Sequence, residues 1–134
     1  MVARKLLIVT ALVETPIGLM LLFSPPLVVG LLLGASLDAP AASIVGRIAG
    51  AALLSLGAAC WLARDDGPSL ARRGLLAAML LYNCAAGAVL ANAAAGERLV
   101  GVLMWPAVAL HAALAVWCGV AAATGSGGER RKNN

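Results

Sequence analysis

Charged side chains are scarce in this sequence, and their scarcity indicates the class of protein. Only 12% of the 134 residues are charged, against about 25% in ordinary soluble domains. Hydrophobic residues make up 62% of the chain, and its mean hydropathy is +0.95. A chain of this length cannot bury so much apolar surface in a water-soluble core, whereas a bilayer solvates outward-facing apolar side chains directly. The composition therefore predicts an integral membrane protein.

Residues that commonly carry out catalysis or bind metals are also rare. The chain has one histidine and three cysteines, Cys60, Cys84 and Cys118, with no Cys-x-x-Cys motif among them. This pattern disfavours a thiol–disulfide exchange enzyme, and we interpret the cysteines as small buried hydrophobes. The sequence also lacks a glycine-rich phosphate loop, a serine nucleophile elbow and a metal-ligand cluster. It therefore favours a protein that is not an enzyme, and it predicts no catalytic residue and no metal site.

Long apolar runs are abundant. Crossing a hydrocarbon layer of about 30 Å takes roughly 20 helical residues. Four segments are long enough, at about residues 6–23, 41–62, 74–95 and 99–123. They predict an all-α fold, a bundle of four transmembrane helices that forms one domain over residues 1–123. Residues 124–134 are predicted to form a flexible basic tail.

The region after the first span allows two interpretations. Pro25 and Pro26 interrupt the helix, and the apolar stretch 27–35 is too short to cross a membrane alone. We expect a short helix there, which either lies in the membrane interface or continues the first span after a break. A cleaved signal peptide is the alternative for the amino terminus, but the apolar run is longer than such segments usually are and contains Glu14.

Basic residues are distributed unequally between the two ends of the predicted spans. One side carries eight of them: Arg4, Lys5, Arg64, Arg72, Arg73, Arg130, Arg131 and Lys132. The other side carries Arg98 with Asp38 and Glu97. The positive-inside rule therefore predicts that both termini are cytoplasmic. Contact with anionic lipid explains the net charge of +4, so the lipid bilayer is the expected partner and nucleic acid is not.

Glycines recur at helical spacing in the second and third spans. Gly46 and Gly50 lie one turn apart, Gly57 follows about two turns later, and Gly87 lies in the third span. Small residues let helix backbones approach closely in lipid. We interpret these four glycines as helix-packing seams, and we expect a homo-oligomer or a place in a larger membrane complex.

Four polar residues within the spans are the candidates for binding a ligand or a proton: Glu14, Arg47, Asn83 and His111. Counted at about 1.5 Å per residue from the nearest charged flank, Glu14 lies about 14 Å deep and Asn83 about 15 Å deep. His111 lies about 20 Å from the opposite flank, and Arg47 lies in the outer third. The side chain of Arg47 either turns inward to Glu14 or extends outward to water.

Two readings of these polar residues remain open. In the first, the role is structural: Glu14 and Arg47 neutralise each other, and Asn83 and His111 form a hydrogen bond between helices. Alternatively the group faces a cavity, because a carboxylate at the bilayer centre costs several kcal/mol unless it is paired or protonated.

Two prolines bear on this choice. Pro16 and Pro106 lack an N–H, so each is expected to free a carbonyl and kink its helix near Glu14 or before His111. Kinked helices that carry ionisable side chains near their kinks can enclose a small polar pocket.

Three short patterns carry a resemblance to a known family. They are Arg-x-x-Gly at 47–50, Tyr-Asn at 82–83, and Trp-Pro followed by a histidine at 105–111. With the apolar segments around them, they make most of the chain similar to the small four-helix membrane proteins of bacteria that are broadly DoxX-like. The resemblance implies a bacterial inner-membrane protein. Some DoxX-like proteins are subunits of quinone-linked sulfur oxidation systems, but no catalytic residue can be carried over.

Three hypotheses for the function follow, and the sequence favours the first. The first is a structural or accessory subunit that assembles through its glycine seams. The second is a proton-coupled carrier or small-ligand binder that uses Glu14 with His111 and Asn83. The third is a redox anchor that holds quinone or haem near His111; since the chain has one histidine, a second haem ligand must come from a dimer or a methionine. No cofactor is favoured.

Overall fold

The structure is a computed structural model that describes residues 1–130, with side chains up to Thr124. Its helices are α1 (Val2–Phe23), α2 (Pro25–Leu33), α3 (Pro40–Leu62), α4 (Leu70–Ala95) and α5 (Met104–Arg130), with a 3₁₀ turn at Ala63–Asp65. Within the described residues, four helices are long and apolar enough to cross a membrane, and α2 is too short. The predicted all-α bundle of four membrane helices is confirmed.

Helix α2 is separated from α1 by a break at Ser24. The backbone there adopts φ −142° and ψ 63°, outside the helical region. Pro25 opens α2 because a proline in the first helical turn gives up no intrahelical hydrogen bond. Gly34 ends the helix with a φ of 66°, a left-handed conformation that glycine adopts without strain. Residues 25–33 therefore form a separate short helix and do not extend the first span.

The end of α2 is joined to the start of α5 by main-chain hydrogen bonds. Gly101 donates to the Leu32 carbonyl at 3.0 Å, and Leu103 donates to the Leu31 carbonyl at 2.9 Å. These bonds satisfy two of the carbonyls that a helix leaves unpaired at its C-terminal end. They also hold the chain before α5 out of the helix. The fourth helix consequently begins at Met104 instead of the predicted Leu99.

Other boundaries also differ from those expected, and α1 begins at Val2, four residues before the predicted start. Helix α4 begins at Leu70 instead of residue 74, because the Ser69 hydroxyl accepts a hydrogen bond from the Arg72 main-chain N–H at 3.1 Å and caps the helix start. Helix α5 continues to Arg130, so residues 124–130 are helical where a flexible tail was expected. The helical hydrogen-bond ladder extends cooperatively from the preceding turns. Residues 131–134 of that tail lie outside the described residues.

Helix α1 is central in the bundle. It packs along α3 and also contacts α2 and α5, while α4 packs along α5. The largest side chains of the core are Leu6, Leu7, Leu76, Met79 and Leu114. Cys60 and Cys118 are buried as predicted, but Cys84 is exposed. Outward-facing side chains such as Leu12 and Leu81 are apolar, which suits a bundle surrounded by lipid.

Candidate functional site

Glu14 is buried in the bundle, with only 3% of its surface exposed. The buried positions of α1 recur every three or four residues: Ala3, Leu6, Leu7, Thr10, Ala11, Glu14 and Gly18. This spacing forms one stripe along a helix, which turns Glu14 toward the other helices. The side chain of Glu14 therefore lies among protein groups and away from lipid.

Tyr82 of α4 is the hydrogen-bond partner of Glu14. A side-chain hydrogen bond joins the Tyr82 hydroxyl to the Glu14 carboxyl group. Among the described side chains, none with a positive charge forms an ion pair with Glu14; the ion pairs found join Asp65 to Arg4 at 2.6 Å and to Arg64 at 3.2 Å, beyond the end of α3. The carboxyl group is thus bonded to a neutral phenol and not to a cation.

Asn83 and His111 form a hydrogen-bonded pair between α4 and α5. Asn83 Nδ2 donates to the Met79 carbonyl at 2.8 Å, so Asn83 Oδ1 is the atom that faces His111 Nδ1, at 2.9 Å. Because Oδ1 only accepts, Nδ1 carries the hydrogen and Nε2 of a neutral ring is left as an acceptor. Asn83 thereby selects the tautomer of His111.

The Glu14–Tyr82 pair and the Asn83–His111 pair are in contact through the ring of Tyr82. Its ring lies edge-on to the His111 ring, with centroids 5.6 Å apart and an interplanar angle of 78°. Glu14, Tyr82, Asn83 and His111 therefore form one polar cluster that bridges α1, α4 and α5. Sequence reasoning missed Tyr82 as a site residue. The available signal was its position beside Asn83, which places both on the face of α4 that carries Met79.

Two further groups lie beside the polar cluster. Cys60 of α3 is close enough to Glu14 to interact with it electrostatically. Thr10 lies one turn before Glu14 on the same buried stripe, and its Oγ1 has no hydrogen-bond partner among the described residues. A buried hydroxyl without a partner is uncommon, because it gives up its hydration without compensation.

Arg47 is the predicted site residue that the structure keeps apart from the others. It lies on an exposed face of α3 and does not pair with Glu14. Of the two orientations expected for its side chain, the outward one is found. Arg47 therefore does not neutralise Glu14, and the carboxyl group is hydrogen-bonded to Tyr82 instead.

The two prolines take different positions. Pro16 lies inside α1, so the Leu12 carbonyl lacks its helical donor, as expected. Pro106 is the third residue of α5 and does not interrupt the helix, because N–H groups in the first turn have no intrahelical partner. The expectation of a kink at Pro106 is therefore wrong, and the reason is the later start of α5 at Met104.

The four predicted packing glycines all face elements of their own chain. A Cβ atom on Gly50 would lie 2.7 Å from the Gly18 carbonyl oxygen of α1, and one on Gly57 would lie 2.7 Å from Thr15 Oγ1. A Cβ on Gly46 would meet Pro25 of α2, and one on Gly87 would lie 3.4 Å from His111 Cβ. The seam that was expected to join subunits is thus occupied within the bundle.

Protein-family models, curated proteins and solved structures yield no match to this chain. The DoxX-like resemblance therefore stays a prediction. Within the described residues, no three His, Cys, Asp or Glu side chains are grouped as a metal ion requires.

Proposed function

We propose that this protein is a small proton-coupled carrier or ligand binder of the membrane, in which Glu14 takes up and releases the coupling proton. One observation carries the proposal: a buried carboxyl group, deep in a membrane bundle, is hydrogen-bonded to a tyrosine and paired with no described cation. Intramembrane carboxylates are costly unless they are paired or protonated. A proton is the simplest group that neutralises Glu14.

The neighbours of Glu14 support proton exchange. Tyr82 and His111 each have a group that both donates and accepts protons, and the polar cluster connects them across three helices. Asn83 holds His111 in one tautomer, which leaves Nε2 ready to accept a proton. The unpartnered Thr10 hydroxyl supplies a further polar atom for a ligand, one turn from the carboxyl group.

The proposal also includes a membrane orientation, a cellular location and an oligomeric state. The loop charges favour cytoplasmic termini, and the DoxX-like resemblance favours the inner membrane of a bacterium. Four helices are few to enclose a transport pathway, so we expect a dimer.

Infrared spectroscopy tests the proposal without knowledge of the ligand. The pH-difference spectrum of the protein in lipid vesicles should contain the carbonyl band of a buried carboxylic acid. Glu14→Gln should remove this band, and Tyr82→Phe should shift it because the hydrogen bond is lost. The matched control is Glu97→Gln in an exposed loop, which should keep the band.

A transport measurement follows from the same variants. Vesicles that contain the wild-type protein and a trapped pH indicator should show proton movement when a candidate substrate is added, and Glu14→Gln vesicles should not. A Glu14→Gln variant with the wild-type infrared band and full proton movement would refute the proposal.

A second candidate function, that of a structural or accessory subunit, is favoured by Arg47. Its side chain is exposed on α3 about 10 Å from the start of that helix at Pro40, among the exposed side chains of Ile44 and Ile48. Intramembrane arginines usually face a protein interior or an opposite charge. A partner helix with a carboxylate would satisfy it, so the outer face of α3 is the proposed assembly surface.

Assembly in mild detergent distinguishes this candidate. Arg47→Leu should dissociate an oligomer or complex that Arg98→Leu, in the loop before α5, leaves intact. Equal assembly of both variants would count against it. The substitutions of Gly46 and Gly50 are unsuitable for this test because those glycines pack within the chain.

A further inference from the structure

A cavity of about 570 Å³ lies at the end of the bundle opposite the loop that joins α4 to α5. It is lined by residues from the first turn of α1, the first three turns of α4 and the last turn of α5 with described side chains. None of the residues in the polar cluster lines it. Its volume is within the range of about 300–1,000 Å³ that is typical of small-molecule sites.

The lining of this cavity changes from basic to apolar along one face of α4. Arg72 and Arg73 lie at the end near the helix start, and Leu76, Ala77 and Leu80 follow at intervals of three or four residues. These positions share one face of the helix and extend over about 12 Å from Arg72 to Leu80. One end of the cavity is therefore suited to an anion and the other to hydrocarbon.

The positive charge of Arg72 is not cancelled by the hydrogen bond that its side chain makes. Its Nη1 donates to the main-chain carbonyl of Asp66, a neutral acceptor that leaves the charge of the guanidinium in place. Asp65, an acidic residue at the same end, is engaged by Arg4 and Arg64. The carboxylate of Asp65 is thus directed to other arginines.

We propose that this cavity binds one anionic phospholipid, with its phosphate at Arg72 and Arg73 and an acyl chain along Leu76, Ala77 and Leu80. Basic pockets between membrane helices are suited to acidic lipid headgroups. A soluble phosphate ion would use the arginines alone and gain nothing from the apolar wall, whereas a lipid uses both ends. The position where the membrane helices end also matches the depth of a headgroup. The proposal is independent of the function assigned to Glu14.

Native mass spectrometry of the purified protein in detergent tests the charge requirement. Titration with phosphatidylglycerol should give one bound lipid per chain, in preference to phosphatidylcholine with the same acyl chains. The double variant R72Q/R73Q should lose about 30-fold in affinity for phosphatidylglycerol, at about 1 kcal/mol per arginine. Arg98→Gln, at the opposite end of the bundle, should keep the wild-type preference. Equal preference in R72Q/R73Q and wild type would overturn the proposal.

A second pair of variants tests the apolar wall and keeps the charge unchanged. Ala77→Phe fills the cavity from a position that is itself exposed, whereas Ala78→Phe changes the exposed neighbour that does not line it. Ala77→Phe should lose phosphatidylglycerol binding, and Ala78→Phe should retain it, with equal helical content by circular dichroism. Binding that survives in Ala77→Phe, or that inorganic phosphate at the same concentration displaces, would show an anion site without a lipid chain and would overturn the proposal.

Discussion

The two helix pairs of this bundle are held together by different means. Between α1 and α3 the backbones touch: a Cβ atom on Gly50 would lie 2.6 Å from the Leu22 main-chain nitrogen and 2.7 Å from the Gly18 carbonyl oxygen. Between α4 and α5, a Cβ atom on Gly87 would lie 3.4 Å from His111 Cβ, and the side chains of Asn83 and His111 form a hydrogen bond across the interface at 2.9 Å. The first pair is in contact through its backbones at glycine positions, and the second combines apolar side-chain packing with a hydrogen bond between polar side chains.

The difference explains where the candidate site lies. Lipid offers no hydrophobic driving force for helix association, so close packing and interhelical hydrogen bonds are the forces that remain. A glycine seam contributes packing only, because it has no group that binds or reacts. The polar interface provides an imidazole and a carboxamide, and Glu14 on α1 joins them through Tyr82. The polar groups of the candidate site are therefore concentrated where the second pair meets α1.

The largest expected effect comes from adding a large side chain where α1 and α3 pack together at glycine residues. Gly50→Leu places a side chain where even one Cβ meets the α1 backbone, so we expect a loss of about 3 kcal/mol in the free energy of unfolding. Gly74→Leu is the control, because a Cβ at Gly74 meets no atom within 4 Å. Unfolding by sodium dodecyl sulfate in mixed micelles, followed by circular dichroism, measures both. Equal stability of the two variants would contradict the close contact between the α1 and α3 backbones at Gly50.

A smaller loss is expected when the polar interface is removed. Asn83→Leu deletes the hydrogen bond to His111, and interhelical hydrogen bonds in membranes contribute about 0.6 kcal/mol on average and about 1.7 kcal/mol at most. We therefore expect a loss of about 1 kcal/mol in the same unfolding measurement. Asn92→Leu, at an exposed position of α4, should have little effect. A double-mutant cycle with His111→Ala separates the pairwise term, and a coupling of zero would show that the bond adds no stability.

The hydrogen bond between Tyr82 and Glu14 is expected to contribute less than the seam of glycines. Tyr82→Phe retains the ring that packs edge-on to His111 and removes only the hydroxyl group. We expect a loss of about 0.6 kcal/mol, the average for such bonds in membranes. In the background of Glu14→Gln, the amide still accepts from the tyrosine, so the same loss should recur. A loss as large as that of Gly50→Leu would mean that the polar cluster is the main support of the fold.

The smallest effect should have the opposite sign. A Cβ on Gly87 would lie 3.4 Å from His111 Cβ, an ordinary contact, so Gly87→Ala should gain about 0.5 kcal/mol from reduced backbone entropy in the unfolded chain. Gly18→Ala provides the matched comparison in the other pair, where the Cβ would meet the Gly50 carbonyl oxygen at 2.9 Å. It should destabilise the protein. If both substitutions changed the free energy of unfolding in the same direction, the α1–α3 and α4–α5 pairs would not differ in how closely they pack.

Much of the architecture could be predicted from composition and run length. The four spans follow because a helix needs enough apolar residues to cross the hydrocarbon layer, and apolar runs are visible without knowledge of packing. Helix boundaries were less predictable. The start of α5 depends on the hydrogen bonds between Gly101 and Leu32 and between Leu103 and Leu31, which join parts of the chain that are distant in sequence.

The sequence by itself determined that this is a multi-pass membrane protein of helices with a few expensive polar groups at depth. Only the tertiary structure decided which of these groups meet. Glu14 bonds to Tyr82, and Arg47 faces outward. The physical reason is that the depth of a residue follows from counting along one helix, whereas its partner depends on the rotation of each helix about its axis. That rotation is set by packing, above all by the glycines that bring α3 against α1.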